Sequence, residues 1–129
     1  MNKEHPNIEV LKKLDLSNME ACAEVLAEDL VWHYFNPELP ELHGDYYGIE
    51  GFGNFFNKMG QNTGATFKVN VISTTPMGDE MVVTHVKDTM FLKGRNMEVD
   101  AVVVWSIADG QIQEAWDIPA MHSVKIKES

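Results

Sequence analysis

Two apolar runs joined by Asp109-Gly110 constrain this chain's fold more than any other feature. One runs from Met97 to Ile107, and its return runs from Gln111 to Ile118. Asp-Gly between apolar runs is a strong hairpin signal, because a type I′ turn needs positive φ at both central residues and Gly adopts it freely. Asp100 and Asp117 therefore lie on neighbouring antiparallel strands, within sequence that otherwise reads as core. A carboxylate in such a place must be paired, hydrogen-bonded or pushed toward its neutral form. Such acids begin either a proton-transfer site or a structural polar network.

The rest of the chain supplies helices before this hairpin and strands around it. Pro6 suits a first helical turn, and Ile8, Leu11 and Leu14 follow at helical spacing. Ser17, with Glu20 three residues on, forms a capping box, and the helix it opens places Met19, Cys22, Ala23 and Leu26 on one face. Leu30 to Phe35 reads as a strand stopped by Asn36-Pro37, and Pro37 to Gly44 as an irregular loop. Phe52, Phe55, Phe56 and Met59 recur at i, i+3, i+4 and i+7, which predicts a third helix ending at Gly60 or Gly64. Strands then span Phe67 to Ser73, Met81 to Leu92, Val99 to Ile107 and Gln111 to Ile118, and a polar tail follows Ala120. Helices followed by a run of strands indicate an α+β fold with helices on one face of an antiparallel sheet.

Length and charge narrow the function. With 129 residues the chain forms one domain. Its longest apolar runs fall short of the roughly 20 residues of a membrane helix, and Met1 to Pro6 has no signal-peptide core, so no membrane partner is expected. A single cysteine, Cys22, rules out an internal disulfide and fits a cytoplasmic location. A net charge of −10 with one arginine, Arg95, argues against nucleic acid and anionic substrates. A neutral or apolar small molecule suits this balance better.

Several segments together resemble a known superfamily. The strand containing Asp29-Leu30-Val31-Trp32-His33, the loop ending Gly44-Asp45-Tyr46-Tyr47-Gly48, the helix with paired Phe and the long meander resemble the nuclear transport factor 2-like cone. Asp109 to Asp117, ending Ala115-Trp116-Asp117, is similar to the closing strand of SnoaL-like proteins, which include polyketide cyclases. Val83-Thr84-His85-Val86 resembles their central strand and Gly94-Arg95-Asn96-Met97 their next turn. The resemblance implies one SnoaL-like domain over residues 1–129 with a polar tail at 121–129. It would be a cone of about three N-terminal helices packed on a curved, antiparallel or mixed sheet that encloses a pocket. It also implies that Asp117 is the acid/base and that His85 assists, while Ala115 stands where many relatives have His. Steroid isomerases of this fold use a helix-borne Tyr and two Asp. The first helix here has no Tyr, and His33-Tyr34 stands near their general base. Epoxide hydrolases of the fold use an Asp-Arg-Asp relay, whereas Arg95 sits in a turn.

Strand parity frames the candidate residues. Asp100 shares a face with Val102, Val104 and Ser106, and Asp117 with Ala115 and Gln113, unless a bulge intervenes. If Asp100 and Asp117 face inward together, repulsion and desolvation raise at least one pKa and create a usable acid or base. The plainer reading is that one of them points to solvent or caps a buried amide. His85 relays a proton or is a satisfied structural imidazole. His33 stands at the expected pocket mouth, and otherwise ends a strand. Tyr34, Tyr46 and Tyr47 are donors for a ligand carbonyl or packing rings with a wet hydroxyl. Phe52 and Phe56 form core or pocket wall, and Trp116 positions a ligand. No metal is expected, because His5, His33, His43, His85 and His122 lack paired ligand spacing. No cofactor is expected either, since no Gly-rich phosphate loop is present.

The expected chemistry is cofactor-independent proton transfer, as in enolate or aldol cyclisation or isomerisation, on a small apolar carbonyl compound. Asp117 moves the proton, His85 assists and Asp100 tunes the charge. The alternatives are a non-catalytic binding or sensor protein of the same fold, and a dimerisation domain with a filled core. Apolar residues on both sheet faces point to a homodimer.

Overall fold

The computed structural model describes residues 5–15, 18–120 and 125–127. The Ser17 half of the expected capping box lies outside them, as does most of the polar tail. Helix α1 spans Pro6–Lys12, with His5 capping it by accepting the Asn7 amide at Nδ1 (3.2 Å). The Asn7 side chain donates to the Asp79 carbonyl (2.9 Å), tying α1 to a turn of the sheet. Helix α2, Met19–Cys22, is a single turn, and strand β1 already runs over Leu26–Tyr34. The longer helix expected from Ser17 stops because Val25 and Leu26 join the sheet. The Val25 carbonyl accepts the Ile112 amide (2.7 Å), and Leu26 pairs with Ile112. Tertiary pairing overrides local helical spacing.

Strand β2, Gly44–Tyr47, pairs antiparallel with β1 where a loop end was expected. Helix α3 spans Gly48–Thr63 and is closed by Gly64 at φ +62°, the second of the two expected stops. Strands β3 (Lys68–Met77), β4 (Met81–Leu92), β5 (Arg95–Ala108) and β6 (Gln111–Pro119) follow, and β7 (Lys125–Lys127) pairs with β5. Asp109 and Gly110 hold φ of +54° and +74°, the I′ geometry anticipated for the hairpin.

The sheet is mixed, in the order β2-β1-β6-β5-β4-β3, and β1∥β6 is its parallel pair. Helix α3 buries Phe52, Phe55 and Met59 against one face. Trp32 of β1 contacts Phe52, Phe55, Phe56 and Trp105, with centroids 5.3–5.7 Å apart. Burying each of these side chains contributes roughly 2–3 kcal/mol. No helix among the described residues is long and apolar enough to cross a membrane.

Candidate functional site

Alternation in the central strands decides which polar side chains meet the helices. In β4, Val82, Thr84, Val86 and Asp88 are buried, while His85 and Lys87 face the other way. In β5, Ala101, Val103, Trp105 and Ile107 are buried. In β6, a register shift against Ser106 and Ile107 lets Ile112, Ala115 and Asp117 share the inner face, so Ile112 takes the place expected for Gln113.

These inner faces, with α1, α3 and β3, line an open cavity of about 470 Å³. Its walls are mostly apolar, including Leu11, Phe56, Val86, Val103 and Trp105, but Asp88 and Asp117 both line it. The two acids are only 7% and 8% exposed, and each leaves its Oδ1 buried with no hydrogen-bond partner among the described residues. Trp32 Nε1 is likewise buried and unpartnered. Trp105, in the same wall, donates its Nε1–H to Thr84 Oγ1 (3.1 Å), which in turn donates to the Val103 carbonyl (3.3 Å).

Burial drives the electrostatics. Desolvation pushes Asp88 up to about 7. It also holds Asp117 well above the usual carboxylate range, and negative charge on Asp88 adds to that shift. Tyr34 is buried beside them, its hydroxyl accepting from Asn36 Nδ2 (3.1 Å). Desolvation, followed by charge on Asp117 and Asp88, raises its pKa.

Sequence reasoning placed Asp117 in the core, and the structure puts it in the cavity. It does not bring Asp100 and Asp117 together. Odd-even parity puts Asp100 and His85 on the opposite sheet face, where His85 Nε2 and Asp100 Oδ1 lie 2.9 Å apart beside the Lys87–Glu98 ion pair (3.0 Å). That face also carries His33, held between Asp45 (2.6 Å) and Glu114 (2.5 Å) and stacked on Trp116 (5.5 Å). His33 is therefore not at the cavity mouth, and Trp116 does not line the cavity. Tyr47 is exposed at the end of β2, and Phe52 is packed behind the wall while Phe56 forms part of it. The residue that sequence reasoning missed is Asp88. Its signal was the period-two series Val82, Thr84, Val86, Asp88, obscured by charged Lys87 next to it.

Helices closing one face of a mixed sheet over an acid-bearing cavity define an α+β fold of the nuclear transport factor 2-like class. Residues 9–115 match the SnoaL-like domain family, and the chain belongs to it. No curated protein matches the chain significantly. Among solved structures it is similar to Bal32a from a soil-derived mobile gene cassette, at 21% identity over 92% of each chain and a TM-score of 0.82. It is similar to TerC co-crystallised with polyporic acid, at 20% identity over 92% of this chain and 94% of that one, with a TM-score of 0.78. A third is IdmH of Streptomyces antibioticus, a candidate polyketide cyclase, at 18% identity over 93% and 95% of the two chains and a TM-score of 0.72. At these identities the likeness is one of fold.

Proposed function

We propose that this chain catalyses cofactor-independent proton transfer on a small apolar carbonyl compound, of the enolate, aldol-cyclisation or isomerisation type, with Asp117 as the acid. The observation that carries this reading is the Asp117 carboxyl, buried in an apolar cavity with one oxygen unpartnered. Burial shifts such a group toward its protonated form, which donates to a carbonyl oxygen as enolate charge develops there, and a low-dielectric site strengthens that donation. The cyclase assignment of IdmH supports a carbonyl-bearing ligand by analogy.

Deuterium uptake at the α-carbon of a cyclic ketone such as 1-indanone tests the proposal. Uptake above background in the native protein, lost in Asp117→Asn, supports it. Uptake at background means a binding protein, and an unchanged Asp117→Asn rate removes Asp117 from the chemistry.

The same reading includes a cytoplasmic homodimer formed through the sheet face opposite the cavity. Val102 and Ile118 are exposed there, among half-buried Val83, Val104 and Trp116, with the His85–Asp100 and Lys87–Glu98 pairs alongside. An apolar centre with a polar rim is the usual make-up of an interface. Sedimentation of native protein and Val102→Asp checks it, with dimer expected for the first and monomer for the second.

A further inference from the structure

The acid role proposed for Asp117 leaves a second buried acid in the same cavity unused. Asp88 reaches the cavity from β4, two strands away from β6, on the inner-face series that includes Thr84 and Val86. A carboxyl this buried in a purely structural role is ordinarily paired or fully hydrogen-bonded. Asp88 is neither: its Oδ1 has no partner among the described residues, and Lys87 beside it turns to Glu98 on the other face. The other titratable groups around it are Asp117 of β6, Tyr34 of β1 and Lys12 of α1, which also lines the cavity.

We propose that Asp88 is the base of this site: its carboxylate takes the proton from the carbon next to a ligand carbonyl, while Asp117 donates to the carbonyl oxygen. The inference rests on the acid role of Asp117. In the step, the α C–H bond breaks and its proton moves to an Asp88 oxygen. The C–H electron pair becomes the enolate C=C bond, and the carbonyl π pair moves onto the oxygen that Asp117 contacts. Reversal returns the proton to the same or a neighbouring carbon, giving exchange or isomerisation. No oxidant or cofactor enters the balance.

Two acids in unequal environments suit this division. Burial brings Asp88 to about 7 and raises Asp117 well above the usual carboxylate range, and charge on Asp88 adds to the Asp117 shift, so ionisation of Asp88 favours retention of the Asp117 proton. The ligand class follows as well. A site with one carboxylate and one neutral acid in apolar walls accepts a neutral, enolisable ketone and repels an anion, and the net charge of −10 acts in the same direction.

The test follows deuterium uptake into 1-indanone from pH 5 to 9 in native protein, Asp88→Asn, Asp88→Glu and Asp117→Asn. The native rate is expected to climb with pH to a plateau, with its midpoint near the pKa of Asp88. Asp88→Asn is expected to lose that limb and about 10²–10⁴-fold in rate. Asp88→Glu, which keeps a carboxyl, is expected to retain the limb at reduced rate. If the native protein exchanges and Asp88→Asn keeps both rate and limb, Asp88 is not the base, while the reading of Asp117 stands. If the native protein does not exchange at all, both fall together.

Discussion

Tyr34 and Asp117 face each other across the parallel pairing of β1 and β6, and the Phe35 amide donates to the Asp117 carbonyl at 3.0 Å. This join fixes the inward direction of the Asp117 carboxyl. The backbone next to it is locked to the first strand, and the phenol ring of Tyr34 packs on Phe55 (4.8 Å) beneath the cavity. The acid cannot turn outward without flipping the register of β6, because a one-residue slip exchanges every side chain between faces.

Holding Asp88 in an apolar wall makes folding pH-dependent. Its folded pKa is raised to about 7, so the native state keeps a proton that the unfolded chain has released. The associated stability is fully present below the ordinary carboxylate range and is lost as pH rises through about 7. The full effect is on the order of 4 kcal/mol. Urea denaturation of native protein and Asp88→Asn at pH 5 and pH 8 checks the sign. The difference is expected to move in favour of the variant at pH 8. No change with pH would mean that Asp88 ionises freely in the fold.

On the opposite face, burial pulls the His33 pKa down. The hydrogen bonds and charges of Asp45 and Glu114 outweigh it, and the net direction is up. That stabilisation is present below the ordinary imidazole pKa and is lost as pH rises through the raised folded one. The partners are partly exposed, so the contribution to stability is below about 1 kcal/mol. The expected result of a proton NMR titration is a His33 midpoint above the usual imidazole value that falls in Glu114→Gln. An unmoved midpoint would show that Glu114 does not hold the ring.

Thr84 is the buried link that satisfies Trp105. Thr84→Val keeps the shape but leaves the Trp105 Nε1–H and the Val103 carbonyl each without this partner. A loss of about 1–3 kcal/mol in denaturant unfolding is expected. A neutral outcome would mean that the indole finds another acceptor.

Much of the fold was legible because local chemistry and tertiary structure agree. Asp109-Gly110 fixed the hairpin, Gly64 stopped α3, and the Phe52–Met59 spacing marked the helix that covers the sheet. Where they disagreed, longer-range pairing prevailed. Val25 and Leu26 left a helical pattern to bond with Ile112, and Gly44–Tyr47 became a strand because β1 offered an edge. The site was legible on one strand only. Asp117 stood out in an apolar run, whereas His85 attracted attention by residue type although its parity points outward. Asp88 was hidden between Lys87 and Thr89, and only the strand's buried face, defined by contact with Trp105 and the helices, distinguishes it. Parity within a strand can be read from sequence. Which parity faces the cavity depends on neighbouring strands and on the β6 register shift.

The two cavity carboxyls together are expected to retain a proton at neutral pH. The most direct measurement is a carbon-13 NMR titration of the Asp88 and Asp117 side-chain carboxyls in the native protein, from pH 4 to 9. The expected result is that Asp88 titrates near 7, that Asp117 titrates well above the ordinary aspartate range, and that Asp117 moves down in Asp88→Asn as the neighbouring charge is removed. Two carboxyls ionising in the ordinary aspartate range, each indifferent to loss of the other, would contradict it.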